Sequence, residues 1–152
     1  IELGYYDTLR AFGRLRGCAY AVASDPESSA DAARFRAKFD ALQRAVKAKY
    51  PVTLTADAAL LLANMNDPEL APLEAAAEDA GVDPTRYYTT RSLGEAFLAA
   101  CDKTRVERFA PLFAGSGNAA DAARAALLPN TFLQALVYET LTGSVVPEVI
   151  EE

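Results

Sequence analysis

A stripe of large apolar side chains constrains the fold of this chain more than any other feature. Four such residues recur at spacings of four, three and four between two prolines, and they are Phe35, Phe39, Leu42 and Val46. This spacing places all four side chains on one face of an α-helix. The proline at position 26 suits the first position of a helix. The sequence therefore predicts a long amphipathic helix from Pro26 or Ser29 to about Tyr50.

Helix breakers and capping residues divide the rest of the chain into further helices. A first helix is predicted from about Glu2 to Ala23. It is expected to end before Asp25, because Asp25 precedes Pro26 and the residue before a proline avoids the helical region. Gly81 is expected to end a helix in the left-handed conformation. No strand pairing or hairpin signal is found. Further helices are predicted over residues 56–65, 67–80, 83–102, 104–113, 119–128 and 132–142.

These elements predict an all-α fold. The expected architecture is a single-domain helical bundle of about five to seven helices over residues 1–143, followed by an extended C-terminal tail, 144–152. The chain has 152 residues, of which 51% are hydrophobic and 24% charged, and a chain of this length buries roughly 70% of its unfolded surface. The side chains expected to be mainly buried are Phe35, Phe39, Leu42, Val46, Leu60, Leu73, Phe97, Phe109, Phe132 and Leu136.

The absence of histidine excludes several classes of active site. Triads with a histidine base, most catalytic zinc sites and the di-iron helical-bundle motif all need this residue. Cys18 and Cys101 lie far apart and form no Cys-x-x-Cys motif. They are interpreted either as two small buried side chains or as one disulfide, which needs an oxidising compartment. The sequence thus predicts a non-enzymatic protein without a cofactor.

One acidic group is a candidate for metal binding. It consists of Glu69, Glu74, Glu78 and Asp79. Carboxylates are hard oxygen ligands, but no calcium-loop pattern accompanies them, and such groups usually form a solvated face. The sequence therefore predicts no metal site here.

Net charge and hydropathy limit the partners and the location of the chain. A net charge of -6 and a pI near 4.7 disfavour nucleic acid and anionic membranes as partners. No apolar run approaches the roughly 20 residues of a membrane span, so a soluble chain is expected. Because it begins at Ile1 and not at Met, we expect a processed chain after removal of a targeting segment, a trimmed chain or an excised domain. The compartment stays open.

Small residues near the N-terminus suggest a contact with another chain. Gly13 and Gly17 are spaced four apart on the predicted first helix, and Arg10 and Arg14 lie beside them. Such a stripe allows close approach of a second backbone, and the arginines could meet an acidic partner. The alternative is a tight helix crossing surrounded by solvated or salt-bridged arginines.

The C-terminal segment SVVPEVIEE is a second candidate for protein binding. Val146, Val149 and Ile150 are apolar, and burial of each side chain could contribute roughly 1.5 to 3 kcal/mol to the free energy of folding or binding. Exposure to solvent would forgo this contribution. We expect the segment to pack on its own domain or on a neighbouring chain, and the sequence favours a neighbouring chain.

Residues 56–100 resemble the three-helix DNA-binding head of tetracycline-repressor-type regulators. The matching positions are DAAL at 57–60, Leu73, Ala77, AGV at 80–82, Tyr88 and EAFL at 95–98. The resemblance implies a helix in the major groove that carries Thr85, Arg86, Tyr87, Tyr88 and Thr89. The sequence departs from the family at Ala76, Thr85 and Arg91, and about 55 residues precede the matched segment. The alternative is a structural turn in which Tyr87 packs inside and Tyr88 lies at a helix surface or contact.

A second resemblance overlaps the first. LRAFGRLR at 9–16 and RYYTTRSLGEAFLA at 86–99 resemble parts of the extrinsic Q-type four-helix subunit of photosystem II. This resemblance implies a processed extrinsic helical-bundle subunit, although the spacing of the two segments differs from that family.

Taken together, the sequence favours a non-catalytic structural or accessory subunit that acts through contacts with other protein subunits. A helix-turn-helix DNA-binding regulator, with Arg86, Tyr87 and Tyr88 toward DNA, is the alternative. A processed extrinsic subunit similar to the photosystem II Q-type protein is a further alternative, and a small-ligand pocket between helices stays open.

Overall fold

A computed structural model describes residues 15–17, 20–50 and 67–143 of the chain. These ranges hold seven helices and three short strands. The helices are α1 (Pro26–Lys49), α2 (Ala71–Ala80), α3 (Thr90–Ala100), α4 (Lys103–Glu107), α5 (Ala110–Ala114), α6 (Ala119–Leu127) and α7 (Pro129–Thr142). The strands are β1 (Leu15–Arg16), β2 (Ala21–Ala23) and β3 (Tyr87–Tyr88). The predicted all-α helical bundle is confirmed, with the small sheet as an addition.

Helix α1 forms as its apolar stripe predicts. Asp25 caps its N-terminus by accepting a hydrogen bond from the Ser28 backbone N–H, and Pro26 occupies the first turn. The rings of Phe35 and Phe39 stack with their centroids 6.0 Å apart. Every residue of the predicted core that the structure describes is buried, while Leu60 lies outside the described residues.

Helix α7 lies at the centre of the bundle and contacts α1, α2, α4 and α6. Its residues from Thr131 to Val137 are all buried. Phe132 meets Phe109 edge to face, with the ring centroids 5.6 Å apart. Because α7 is covered on most sides, the elements packed around it define the grooves of the surface.

The predicted first helix is wrong over its described part. Leu15 pairs with Ala23 in antiparallel β1 and β2, and Ala21 pairs with Tyr87 in parallel β2 and β3. Gly17 has a φ of +95°, a conformation that ends any helix at this point and favours glycine. The strand pairing joins segments far apart in sequence, and this tertiary contact overrides the local helix preference.

The segment between α2 and α3 also differs from its prediction. Gly81 ends α2 with a φ of +85°, as predicted. The next helix was expected to begin near Asp83, but α3 begins at Thr90, where Thr89 and Ser92 form a capping box. Asp83 instead accepts hydrogen bonds from the backbone N–H and the hydroxyl of Thr85. Such local bonds stabilise a turn in place of a helix.

The helices after α3 differ from their predicted bounds in two places. The helix expected over 104–113 is divided into α4 and α5, and α7 begins at Pro129, three residues earlier than predicted. Asn118 caps α6 and Gly143 ends α7 with a φ of +62°, as expected. The helix predicted over 56–65 and the tail over 144–152 lie outside the described residues. In the described part of the chain, no helix combines the length and the apolar character that crossing a membrane requires.

Candidate docking surfaces

A groove of about 370 Å³ lies between α1, α3 and the C-terminal end of α7. We call it the α1–α3–α7 groove. Its apolar lining consists of Phe35, Gly94, Leu98 and Leu141. A Cβ atom at position 94 would lie 3.2 Å from Leu141 Cδ2, so the glycine lets α7 approach α3 closely. The groove therefore has an apolar floor built by three different helices.

Charged side chains surround this floor. Asp31 forms ion pairs with Arg34 of its own helix and with Arg91 of α3, the second at 3.9 Å between Arg91 Nη2 and Asp31 Oδ2. Lys38 and Glu95 complete the charged part of the lining. Both arginines are largely exposed, and exposed ion pairs stabilise a fold by only about 0 to 1 kcal/mol. Their guanidinium groups thus remain able to bind a further acidic group.

A buried polar contact fixes the two helices that carry these arginines. The Thr90 hydroxyl donates to the Ser28 carbonyl oxygen at 2.7 Å, and the Thr90 backbone N–H donates to Ser28 Oγ at 3.0 Å. Both residues are buried. The first turns of α1 and α3 are therefore joined, and this contact sets the distance between Asp31 and Arg91.

A second surface lies where α6 meets α7. Leu127 is 79% exposed and Leu128 is 43% exposed. We call this pair the leucine corner. The Leu128 backbone N–H donates to the Arg124 carbonyl oxygen at 3.0 Å, and α7 begins at the next residue. The backbone of the pair is thus fixed at the junction of α6 and α7, while both side chains are exposed to solvent.

A polar cleft of about 410 Å³ adjoins the leucine corner. Arg105 Nη2 donates to Thr131 Oγ1 at 2.9 Å across this cleft, and Gln134 Nε2 donates to Asp79. Asn130 also lines it. Apolar side chains beside hydrogen-bonding groups are the arrangement found in protein–protein interfaces, which have an apolar centre and a polar rim.

Carboxylates hold the turn that follows β1. Arg16 donates from Nε and Nη2 to the two carboxylate oxygens of Asp67, both at 2.8 Å, and from Nη2 to Glu69 Oε1 at 2.8 Å. The Gly17 backbone N–H donates to Asp67 Oδ2 at 3.2 Å. Burial alone would raise the pKa of Asp67, but the hydrogen bonds and charge of Arg16 outweigh it and lower that pKa. We call these residues, Arg16, Gly17, Asp67 and Glu69, the carboxylate clasp.

Glu74 belongs to the same region and corrects the prediction of a solvated acidic face. Its side chain is 0% exposed, and its Oε2 accepts a hydrogen bond from the Tyr20 backbone N–H at 2.9 Å. A Cβ at position 17 would lie 2.9 Å from the same oxygen. Gly17, predicted to contact a partner, therefore serves the packing of its own turn on α2. Glu78 and Asp79 are exposed as predicted.

The residues predicted to face DNA do not lie on a helix. Arg86 is exposed and forms an ion pair with Asp83 at 3.5 Å. Tyr88, only 7% exposed, meets the Tyr20 ring edge to face and donates from its hydroxyl to the Asp83 carbonyl oxygen at 2.6 Å. Tyr87 is 53% exposed, so the predicted roles of the two tyrosines are reversed. The expected recognition helix over 85–89 is wrong, because these residues form a turn and β3.

Cys101 follows α3 as a free, buried thiol. Burial raises the pKa of this thiol, so the residue is protonated at neutral pH and a poor nucleophile. The interpretation as a small buried side chain therefore fits Cys101. Cys18 lies outside the described residues. The same holds for the remaining predicted partner-binding residues, which are Arg10, Gly13, Arg14, Val146, Val149 and Ile150.

Across residues 15–17, 20–50 and 67–143, no group of three His, Cys, Asp or Glu side chains is placed to hold a metal ion. Comparison with known proteins adds no relative. The chain matches no protein-family model, and no curated protein and no solved structure matches it.

Proposed function

We propose that this protein is a non-catalytic accessory subunit that acts through contacts with other protein subunits. The observation that supports the proposal is the leucine corner, where Leu127 and Leu128 stay exposed at the junction of two helices. Burial of a leucine side chain contributes roughly 1.5 to 3 kcal/mol. A partner that covers both residues would gain this contribution without any rearrangement of the bundle.

The rigidity of the corner adds to its suitability as an interface. Capping by Asn118 and Asp121 stabilises the start of α6, and α7 is held by the core on most sides. A surface that is fixed before binding loses little conformational entropy in the complex. The adjoining cleft offers Arg105 and Asn130 as hydrogen-bonding groups at the edge of the contact.

Affinity purification of the tagged full chain from its native source tests the proposal. In Leu127→Lys/Leu128→Lys, two charges replace the apolar centre of the contact, and we expect the co-purifying subunits to be lost. The matched control is Ala33→Lys/Ala37→Lys, which adds the same charges at exposed positions of α1. The control should retain these subunits. Equal recovery with both variants, measured by quantitative mass spectrometry, would contradict an interface at the leucine corner.

A further inference from the structure

We propose that the α1–α3–α7 groove binds the C-terminal segment of the same molecule, residues 144–152. The segment, SVVPEVIEE, combines four branched apolar residues with three glutamates. The groove combines an apolar floor with three cationic and two acidic side chains, so positive charge is in slight excess. The two are therefore complementary both in apolar character and in charge.

The floor of the groove offers apolar surface that the C-terminal segment could cover. Leu98 and Leu141 are partly buried and pack against the core, which leaves part of each side chain open to the groove. The candidates to cover them are Val145, Val146, Val149 and Ile150. Covering apolar surface with these side chains is favourable in proportion to the area removed from water.

The charges around the groove favour an acidic segment. Arg34 and Arg91 share one carboxylate, that of Asp31. Each guanidinium group has five N–H donors, so a single carboxylate leaves most of them without an acceptor among the described residues. Lys38 adds a third cation. The carboxylates of Asp31 and Glu95 offset part of this charge, but the groove keeps a slight positive excess on a molecule whose overall charge is -6. The segment would bring Glu148, Glu151 and Glu152 to these cations.

The connection to α7 selects the same molecule over a second copy. Thr140 and Leu141 line the groove, and Gly143 turns the chain with a φ of +62° directly after α7. Nine extended residues reach roughly 30 Å, whereas the stretch of α1 from Asp31 to Lys38 covers only about 10 Å. A short tether gives an effective concentration in the millimolar range. The proposal thus takes the first of the two sites expected from the sequence, the chain's own domain, where the sequence alone favours a neighbouring chain.

Tryptophan fluorescence in the full chain tests this proposal, because the natural sequence contains no tryptophan. In Ile150→Trp the single indole reports on the segment. We expect blue-shifted emission and several-fold weaker quenching by acrylamide than in an isolated 144–152 peptide with the same substitution. Adding Arg34→Glu/Arg91→Glu should shift the emission to the peptide value. The matched control Arg44→Glu/Arg124→Glu changes two exposed arginines outside the groove and should leave the emission unchanged.

Three outcomes would overturn the proposal. Emission and quenching equal to those of the free peptide would show that the segment is in solvent. Shielding that survives Arg34→Glu/Arg91→Glu would place the segment elsewhere. Shielding that appears only with dimer formation, followed by light scattering over a range of concentrations, would assign the groove to the segment of a second copy.

Discussion

Arg16 and Asp67 show how one ion pair fixes a turn that the sequence does not reveal. The two side chains are 51 positions apart, and both are largely shielded from solvent. Sequence patterns identify neighbours on one helix face or one strand, but not a contact between two irregular segments. The burial of Glu74 could not be predicted for the same reason. Its carboxylate accepts a hydrogen bond from the backbone N–H of Tyr20, 54 positions away.

Replacement of Asp67 by asparagine should destabilise the fold in a pH-dependent way. The pKa of Asp67 is lowered in the folded protein, so its stabilising contribution is present above the ordinary carboxyl pKa of about 3.9 and is lost as the pH falls further. We expect Asp67→Asn to lower the free energy of unfolding by about 1.5 to 3 kcal/mol at pH 7, the usual value for hydrogen bonds to charged groups.

Urea unfolding of wild type and Asp67→Asn between pH 7 and pH 2.5 measures this effect. The difference between the two proteins should shrink as the pH falls from about 4 through the lowered pKa of folded Asp67, because the unfolded wild type takes up the proton first. Glu107→Gln, at an exposed position of α4, serves as the control and should differ little from wild type at any pH. A constant difference for Asp67→Asn across this range would contradict the role of its charge.

Helices α1 and α6 could be predicted because the residues that determine them are close together in the sequence. A stripe of apolar residues, a capping residue and a proline or glycine define each of them. The β1–β2–β3 sheet could not be predicted in this way, since each strand has only two or three residues. Its stability comes from pairing between Ala21 and Tyr87 and from burial of Tyr20, which are long-range contacts.

Strand β3 gives a direct comparison between two adjacent tyrosines. Tyr88→Ala should lower the free energy of unfolding by roughly 3 kcal/mol, because it removes a buried ring from the core. Tyr87→Ala, at an exposed position, should change it by less than about 0.5 kcal/mol. Urea unfolding of both variants provides the measurement. Equal losses, or a larger loss for Tyr87→Ala, would contradict the assignment of residues 87–88 to a strand with one buried face.

The candidate surfaces were only partly visible in the sequence. Helix α6 buries Ala122 and Ala125, and Leu127 falls outside that small apolar face. Hydrophobicity alone predicts burial for two adjacent leucines, so their exposure became apparent only from the packing of α6 on α7. The α1–α3–α7 groove depends on three helices, and Asp31 and Arg91 meet only because Ser28 and Thr90 join two of them.

The bundle therefore presents two surfaces of different character. The leucine corner is apolar at its centre and suits a partner subunit. The α1–α3–α7 groove has a slight excess of cationic over acidic side chains around an apolar floor, and we propose the acidic C-terminal segment of the chain as its ligand. Helix α7 contributes to both surfaces, so their shapes depend on the same core.

Site-specific photo-crosslinking in the native source tests the proposed interface most directly. A photoreactive amino acid at position 127 should yield one dominant crosslinked partner, because the side chain at this position would be covered in the assembly. The same group at position 86, where the native arginine is also exposed, is the control and should not capture that partner. Absence of a dominant product at position 127, or the same products from both positions, would contradict a specific interface at the leucine corner.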